Sequence, residues 1–202
     1  MELKIFPYGP LSSNMYLLST GSGFFLIDPS VYPEDLKKDD FPQKLDYILI
    51  THSHFDHINA LDKWCEAYPE AEVYMSKDDI DGLSDPDFNC SSYFAELCRY
   101  KCVPKDVSEL KLEGITVIKT PGHSKGSVCF LFEKEGEKLM FTGDTLFAGS
   151  CGRSDFKGGS SLELMASLKK LSLLGRDIKI FPGHGPSSTI ENEHKTNPFF
   201  NY

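Results

Sequence analysis

The amino-acid sequence predicts a single α/β domain spanning residues 1–202, because strand patterns and helix patterns alternate along the whole chain without a low-complexity linker. The chain is 40% hydrophobic and 25% charged, a composition typical of globular proteins that bury a core. Its longest apolar runs are strand-sized, well short of the roughly 20 residues that a membrane-spanning helix requires. A chain of this length can bury a core of several layers.

The charge balance excludes some classes of partner. The chain has 21 Lys and Arg residues against 30 Asp and Glu residues, which gives a formal charge of −9. An acidic protein without a Lys/Arg block is not expected to bind nucleic acid or an anionic membrane. The first residues lack a basic region followed by an apolar core, so the expected location is the cytoplasm. The sequence leaves the oligomeric state open.

The first part of the chain predicts strands separated by Gly, Pro and Ser. Residues 45–50 are almost continuously apolar, as expected of a strand that is buried on both faces. Apolar residues then recur at spacings of three and four from Ile58 to Tyr68, which predicts a helix closed by Pro69. Residues 33–38 predict a short helical turn. The predicted strands of this part are residues 3–7, 14–19, 23–28, 45–50 and 71–75.

The second part predicts a strong helix between further strands. Residues 161–174 have leucines on one face, Ser160 and Glu163 form a capping-box pattern, and Gly175 supplies the stop. A helix is also predicted around residues 92–100, and the chain is expected to end in a polar tail. The predicted strands of this part are residues 114–120, 127–133, 138–142 and 177–182.

Six cysteines are predicted to be reduced thiols, because the chain has its own core and shows no export signal. Cys90, Cys98 and Cys102 could hold a structural zinc, but their spacing is not that of two CxxC pairs. The favoured prediction is that Cys98 and Cys102, four residues apart, pack on one helix face as small apolar residues. The role of Cys151 is left open.

Four ligand-type side chains lie within six residues, directly after the buried strand at residues 45–50: His52, His54, Asp56 and His57. They cannot all point into a core without partners, because an unsatisfied buried polar group costs a few kcal/mol. His52 and His54 face the same way in an extended backbone and can bind one ion, while Asp56 and His57 can reach a second. Imidazole and carboxylate together suit zinc, iron or manganese.

Further candidate ligands follow other predicted strands. His123, Asp144 and His184 each follow a strand and adjoin a glycine, which lets the backbone approach closely. A lone histidine is more often structural, but five of the six histidines in the chain share this placement. The group is therefore predicted to be a metal site at one sheet edge. His194 lies in the polar tail and is predicted to be solvated.

At this point the motifs resemble those of a known family. THSHFDH at residues 51–57 resembles the THxHxDH signature of the metallo-β-lactamase-fold hydrolases. The segments at residues 120–127, 141–147 and 182–185 are similar to the later metal motifs of that superfamily, in the same order. The resemblance implies a four-layer αββα sandwich with two divalent ions at its edge, zinc first, with iron or manganese as alternatives. It assigns His52, His54 and His123 to one ion, Asp56, His57 and His184 to the other, and Asp144 to a bridging position.

Within the superfamily, Asp56-His57 together with Asp144 resembles the glyoxalase II-like branch, the hydroxyacylglutathione hydrolases. Residues 143–159 and 196–199 most resemble its short, single-domain bacterial members, whereas the Gly-Gly pair that often follows the first motif is Asn59-Ala60 here. Those short members lack the helical domain that makes much of the glutathione contact. The resemblance therefore implies hydrolysis of small acyl-thioesters with only a modest preference for glutathione.

The implied mechanism follows from charge. Two divalent ions (+4), Asp56 and Asp144 (−2) and one hydroxide (−1) leave +1 at the site. Such ions lower the pKa of a bound water from 15.7 to about 7, so hydroxide is available at neutral pH to attack the thioester carbonyl. Asp56 is the predicted catalytic residue, because it is placed to bind an ion and to orient the nucleophile.

Two residues outside the ligand set have two interpretations each. Asp28 either accepts the free N–H of a ligand histidine or forms a turn at the end of its strand. Arg153 either orients an anionic substrate or pairs with Asp155 to hold its loop, and the second interpretation is favoured.

The main alternative function is a persulfide dioxygenase, since CGRSDF at residues 151–156 resembles a stretch of that family. Such an enzyme would hold one iron on His52, His123 and Asp144. Its final histidine motif differs from Gly-His-Gly, which favours the hydrolase. A non-catalytic metal-binding module is a third possibility, and the intact ligand set argues against it.

Overall fold

The structure, a computed structural model, describes residues 1–9 and 11–200. Its α-helices are α1 (Phe55–Ile58), α2 (Leu61–Ala67), α3 (Ser161–Ser172) and α4 (Ile190–Thr196). Its strands are β1 (Glu2–Tyr8), β2 (Ser13–Ser19), β3 (Phe24–Ile27), β4 (Tyr47–Leu49), β5 (Glu72–Met75), β6 (Lys105–Asp106), β7 (Ile115–Lys119), β8 (Val128–Lys134), β9 (Glu137–Gly143), β10 (Leu146–Phe147), β11 (Ser150–Cys151), β12 (Lys179–Pro182) and β13 (Ser188–Thr189).

The strands form two main sheets and a short ribbon. The first sheet has the order β1-β2-β3-β4-β5-β6, antiparallel from β1 to β3 and parallel from β3 to β6. The second has the order β13-β12-β9-β8-β7, in which β12 runs parallel to β9. Strands β10 and β11 pair with each other as a separate ribbon.

An aromatic core fills the space between the two sheets. On β2, Tyr16 and Leu18 point into this core, while Met15 and Leu17 point to the opposite face, as the two-residue period of a strand requires. Phe25 of the first sheet meets Phe132 of the second with ring centroids 5.0 Å apart. Burial of such rings is the main stabilising term between the two layers.

Helices cover the outer faces of both sheets. Helices α1 and α2 pack on the first sheet, where Trp64 is fully buried. Leu164, Leu168 and Leu171 of α3 pack on the second sheet, with Ile190 of α4 beside them. The layer order is helix, sheet, sheet, helix, which confirms the predicted α/β class and the four-layer αββα sandwich.

The predicted strands of five or more residues are all present, with bounds shifted by up to two residues. The four two-residue strands were not predicted. The single helix predicted from Ile58 to Tyr68 is wrong, because the segment forms α1 and α2 with a break at Asn59 and Ala60. The N–H of Ala60 donates to the carbonyl of Pro29 at 2.9 Å, so it does not continue the helical ladder of α1.

The helix predicted around residues 92–100 is also wrong. Only a 3-10 turn forms, at Ser91–Phe94, and Ala95 ends it in a left-handed conformation with φ of 59°. Cys98 and Cys102 therefore share no helix face. Cys102 packs instead against the same core as Cys65 of α2, and the two thiols are hydrogen-bonded. The structure has all six cysteines as free thiols.

The predicted polar tail contains α4, which sequence analysis missed. His194 lies on this helix with its Nε2 2.9 Å from the carbonyl oxygen of Ser172, so the prediction that it is solvated is wrong. Glu193 is fully buried and accepts hydrogen bonds from the Gly149 N–H and the Asn197 amide, both at 2.8 Å. Helix α4 thus holds the loop between β10 and β11. Within the described residues, no helix combines the length and apolar character needed to cross a bilayer.

Candidate metal centre

The predicted ligands converge at one edge of the sandwich, where strands of both sheets end. The segment that follows β4 of the first sheet carries four of them. The other three follow β7, β9 and β12 of the second sheet. In this order the seven residues are His52, His54, Asp56 and His57, then His123, Asp144 and His184.

Three histidines form a first group. Potential ligand atoms of His52, His54 and His123 all lie within 4.8 Å of one another. His54 Nδ1 is 2.8 Å from His123 Nε2. All three side chains are at most 4% exposed. The sequence prediction that these residues share one site agrees with this geometry.

Asp56, His57 and His184 form a second group, in which the donor atoms are similarly close. His184 Nε2 is 3.3 Å from both Asp56 Oδ2 and His57 Nε2. His57 Nε2 is 3.6 Å from Asp56 Oδ2. The short helix α1 creates this group, because it carries Asp56 and His57 on its first turn.

Asp144 lies between the two groups. Its Oδ2 is 3.4 Å from His123 Nε2 in the first group and 3.5 Å from His184 Nε2 in the second. Its Oδ1 is 3.3 Å from His57 Nε2. One carboxylate can therefore reach both groups, the position that the resemblance implied for it.

The donor set fits divalent cations. Zinc bound at 2.0–2.1 Å in a tetrahedral site separates its ligand atoms by about 3.4 Å, and the contacts above scatter around that value. His52 Nε2 and Asp144 Oδ1 are buried and have no hydrogen-bond partner among the described residues. Orphaned buried acceptors are costly, and a cation would satisfy them. The residues present can therefore hold two ions.

Hydrogen bonds on the opposite ring nitrogens orient the histidines. His123 Nδ1 lies 2.7 Å from the Arg153 carbonyl, and His184 Nδ1 lies 2.9 Å from the Leu11 carbonyl. A carbonyl accepts, so each Nδ1 carries a proton, and in the neutral ring the Nε2 presents its lone pair to the centre. Outer partners of this kind fix the tautomer and the orientation of metal-binding histidines.

Asp28 supports His57 from behind. Its Oδ2 is 3.1 Å from His57 Nδ1 and accepts from the Thr51 hydroxyl at 2.7 Å, while Oδ1 accepts from the Thr51 N–H at 2.8 Å. Asp28 adopts a left-handed backbone with φ of 52°, which is strained for a non-glycine residue. The geometry matches the first of the two interpretations that the sequence left open for this residue.

Burial and charge divide the histidines of the site into two kinds. Burial lowers the pKa of His52 well below its ordinary value and that of His54 to about 3, so both rings are neutral. Burial opposes the charge of His57 and His184 as well. The carboxylates of Asp56 and Asp144 override it, raising the pKa of His57 well above its ordinary value and that of His184 to about 9.

Asp144 completes this balance. Burial alone would raise the pKa of its carboxyl, but the charges of His57 and His123 hold that pKa well below the ordinary value. The raised pKa values of His57 and His184 thus balance the charges of Asp56 and Asp144. A cation held by the second group would take the place of the protons on these two rings.

Asp79, which sequence analysis missed, ties the two metal-binding loops together. It is fully buried on the 3-10 segment Lys77–Leu83. Its Oδ2 accepts from the Ser53 N–H at 3.0 Å and the Ser124 hydroxyl at 2.7 Å, while Oδ1 accepts from the Gly126 N–H at 2.5 Å. Ser53 lies between His52 and His54, and Ser124 follows His123. No local pattern signals this role.

Arg153 is placed as its favoured interpretation predicted. Its Nε and one terminal nitrogen donate to the two oxygens of Asp155, both at 2.6 Å. The guanidinium also stacks over the Phe156 ring at 4.1 Å from the centroid. Both side chains of this ion pair are well exposed, so the pair contributes little to stability. Its main effect is to orient the loop whose Arg153 carbonyl accepts the hydrogen bond from His123.

Two glycines allow the backbone to pass close behind the ligands. A Cβ on Gly183 would lie 2.1 Å from Asp144 Oδ1 and 2.6 Å from His57 Cε1. A Cβ on Gly152 would lie 1.8 Å from the Asp144 carbonyl oxygen. Any side chain at these positions would displace Asp144.

A cavity of about 310 Å³ opens beside both groups of ligands. A smaller one of about 120 Å³ adjoins it and shares Phe55, Asp56 and Phe94. The carboxylate of Asp56 therefore faces the space that a substrate would enter from either side.

Comparison with known proteins identifies the family. The family model of the metallo-β-lactamase superfamily matches residues 8–184. This chain belongs to that superfamily. A probable metallo-hydrolase of Streptococcus pyogenes is 35% identical over 199 residues, which cover 93% of this chain and 85% of that protein. The hydroxyacylglutathione hydrolase of Francisella philomiragia is 36% identical over 177 residues, 86% of this chain and 63% of that enzyme.

Solved structures of the superfamily have the same fold. The BLEG-1 B3 metallo-β-lactamase is 34% identical, covers all of both chains and superposes with a TM-score of 0.85. TTHA1623, solved in a di-iron-bound form, is 37% identical, matches 97% of this chain and 99% of its own, and superposes with a TM-score of 0.86. The chain is therefore a metallo-hydrolase-type protein over nearly its full length.

Proposed function

We propose that this protein hydrolyses thioesters with two divalent ions held at the edge of the sandwich. The observation that carries the proposal is the complete second group, Asp56, His57 and His184, with Asp144 within reach of both groups. His52, His54 and His123 would hold one ion, the second group the other, and Asp144 would bridge them. When bound, the ions supply positive charge that lowers the pKa of a water and polarises a carbonyl.

The side chains of the site contribute binding, charge and proton handling. Asp56 and Asp144 reduce the net charge of two divalent ions from +4 to +2, which leaves the centre attractive to an oxyanion. Asp56 borders both cavities and is placed to orient the nucleophile and accept its proton. The reaction adds water across the C–S bond: a C–O bond forms, the C–S bond breaks, and the departing sulfur takes a proton as the thiol.

Two relatives support acyl transfer to water as the reaction class. The Francisella relative is named a hydroxyacylglutathione hydrolase, which acts on a thioester. BLEG-1 is named a metallo-β-lactamase, and a β-lactam is also an acyl compound opened by water. The iron in the TTHA1623 structure supports iron as a candidate metal beside zinc.

The persulfide dioxygenase alternative uses fewer of these residues. One iron on His52, His123 and Asp144 would leave the second group without a task. Removing Asp56 and His57 from water with no ion to bind would lower the stability of the fold, and nothing would offset this loss. The hydrolase accounts for all seven side chains.

The test compares three reactions on one preparation of metal-replete protein. Thioester cleavage, β-lactam cleavage and glutathione-persulfide turnover are measured with and without oxygen, alongside elemental analysis of the bound metal. We expect thioester hydrolysis that continues anaerobically, with about two ions per chain. Oxygen uptake on the persulfide with thioesters untouched would reject the proposal in favour of the dioxygenase. Rapid cleavage of the β-lactam alone would move the substrate class to lactams.

A further inference from the structure

The larger cavity beside the metal centre has an apolar wall. Its large apolar side chains come from separate segments of the chain: Leu11, Phe55, Phe94, Phe147 and Phe156. Their convergence on one cavity is unexpected for a surface that faces water. Phe94 is 47% exposed and Leu11 38%, so the wall remains open to solvent. Exposed apolar surface beside a reactive centre indicates a ligand-binding surface.

The aromatic wall begins at the metal ligands and continues outward. The Phe156 ring lies 5.4 Å from the His54 ring, and the Phe147 ring lies 6.0 Å from the His184 ring. Further out, the rings of Phe55 and Phe94 are 5.0 Å apart. An acyl chain whose carbonyl lies at the metal centre would therefore meet these aromatic rings from its first methylene onward.

No free Lys or Arg side chain lines the cavity within the described residues. Among the described residues that line it, Arg153 is the one Lys or Arg, and Asp155 already accepts two hydrogen bonds from it. Lys157 on the same loop donates to Asp85 at 2.6 Å. A carboxylate at the far end of a group that enters this cavity would therefore lose its hydration without gaining a side-chain cation as a partner.

We infer that this cavity is an acyl subsite that selects thioesters with an uncharged, apolar acyl group of several carbons. The inference rests on the proposed function. Biological thiols carry amides and charged groups, so the apolar arm of a thioester is its acyl arm. A volume of about 310 Å³ holds about ten groups of water size, which suits an aliphatic chain or a phenylacetyl group.

The experiment varies the acyl group on a short neutral thiol, N-acetylcysteamine, and measures kcat/KM with metal-replete protein. The series runs from acetyl through butyryl and hexanoyl to phenylacetyl, with succinyl as the anionic member. Each methylene that enters an apolar pocket contributes about threefold, so hexanoyl should exceed acetyl by tenfold to a hundredfold. Succinyl should be hydrolysed more slowly than butyryl.

Variants test whether the named wall is responsible. Phe94→Ala should reduce the hexanoyl-to-acetyl ratio of kcat/KM by about fivefold, and Phe94→Leu should restore most of that ratio. Leu97→Ala is the matched control, because Leu97 lies on the same segment, is 68% exposed and does not line the cavity. Its ratio should equal that of the wild type.

The outcomes separate the inference from the function on which it rests. Hydrolysis of every thioester with a flat dependence on chain length, or a ratio unchanged by Phe94→Ala, overturns the acyl subsite and leaves the hydrolase intact. Failure to cleave even the acetyl thioester overturns the proposed function, and the acyl subsite with it.

Discussion

Asp144 is the residue on which both groups of histidines depend. Its two oxygens lie 3.3–3.5 Å from ring nitrogens of His57, His123 and His184. With two cations at the site, its negative charge would separate them, and Coulomb repulsion at such short range is large. Asp28 also lies within 4.8 Å of nitrogens of His52 and His57, but it contacts His57 at Nδ1, the nitrogen opposite the one that faces Asp144.

Replacing Asp144 with alanine should therefore remove metal as well as activity. We expect Asp144→Ala to retain one ion or fewer per chain after gel filtration, measured by elemental analysis. Asp177→Ala, which removes an exposed carboxylate that pairs with Lys138 outside the site, serves as the control and should retain the wild-type content. Two ions per chain in Asp144→Ala would exclude a bridging role.

Asp79 acts on the metal site through the loops. Each of its two oxygens accepts a hydrogen bond from a backbone N–H group, one from Ser53 and the other from Gly126. A backbone N–H group cannot act as an acceptor instead. An amide in its place must turn an NH₂ group toward one of them. Asp79→Asn should therefore shift the loops and weaken metal binding about 10- to 100-fold, as measured by competition with a chromophoric chelator.

Two readouts separate this effect from general unfolding. Asp78→Asn, next to it but exposed, should bind metal like the wild type. Burial raises the pKa of Asp79, although its hydrogen bonds oppose this. The carboxyl group of Asp79 therefore stays protonated to a higher pH in the folded state than in the unfolded state. Wild-type stability relative to Asp79→Asn should therefore fall as pH rises from about 4 through the raised pKa. Equal metal affinity for both variants would contradict the role.

At the scale of elements, helix α4 fastens the β10–β11 ribbon to the second sheet. Glu193 accepts hydrogen bonds from Gly149, Asn197 and Ser188 while fully buried. The Asn197 amide donates to the Ser150 carbonyl at 2.9 Å. The ribbon carries Phe147 beside His184, so α4 supports one wall of the site from a distance.

Removing the Glu193 carboxylate should destabilise the fold. Glu193→Ala removes the acceptor of the part-buried Gly149 N–H and of one N–H of the Asn197 amide, which costs about 2–4 kcal/mol in the free energy of unfolding. Urea denaturation measures this change. Glu191→Ala, on the exposed side of the same helix, should change stability by less than about 0.5 kcal/mol. A loss below 1 kcal/mol for Glu193→Ala would show that water replaces the missing acceptor.

The elements that sequence analysis missed have one cause in common. Strand and helix periodicity located the long strands and α3, because those patterns are local. The break before α2 depends on a hydrogen bond from Ala60 to Pro29, and α4 depends on packing of Ile190 against the second sheet. Asp79 contacts Ser124, 45 positions away. Contacts of this range leave no local pattern, whereas the convergence of the candidate ligands could be predicted because each of their segments follows a strand.

At the scale of the whole molecule, the metal centre joins the two sheets. His52 and His57 follow a strand of the first sheet, whereas His123, Asp144 and His184 follow strands of the second. Ions bound here would connect segments that lie more than 100 positions apart in the chain. Binding that occurs only in the folded state stabilises that state by mass action.

Removal of metal should therefore lower the melting temperature of the whole domain. At a free metal concentration 100-fold above Kd, one ion contributes about 2.7 kcal/mol, which corresponds to about 5–10 °C for a chain of this size. Calorimetry before and after dialysis against a chelator measures the shift, and readdition of metal should restore it. Coincident unfolding curves would show that the two sheets hold together without the ions.

The glycines at positions 183 and 152 predict how the family varies. Neither glycine has a side chain that could bind a cation, yet a methyl group at either position would collide with Asp144. Across the superfamily, these two positions should change as rarely as the ligand positions themselves, for a steric reason rather than a chemical one. Conservation around this centre should therefore include the glycines whose backbone passes behind Asp144 as well as the residues that supply the donor atoms.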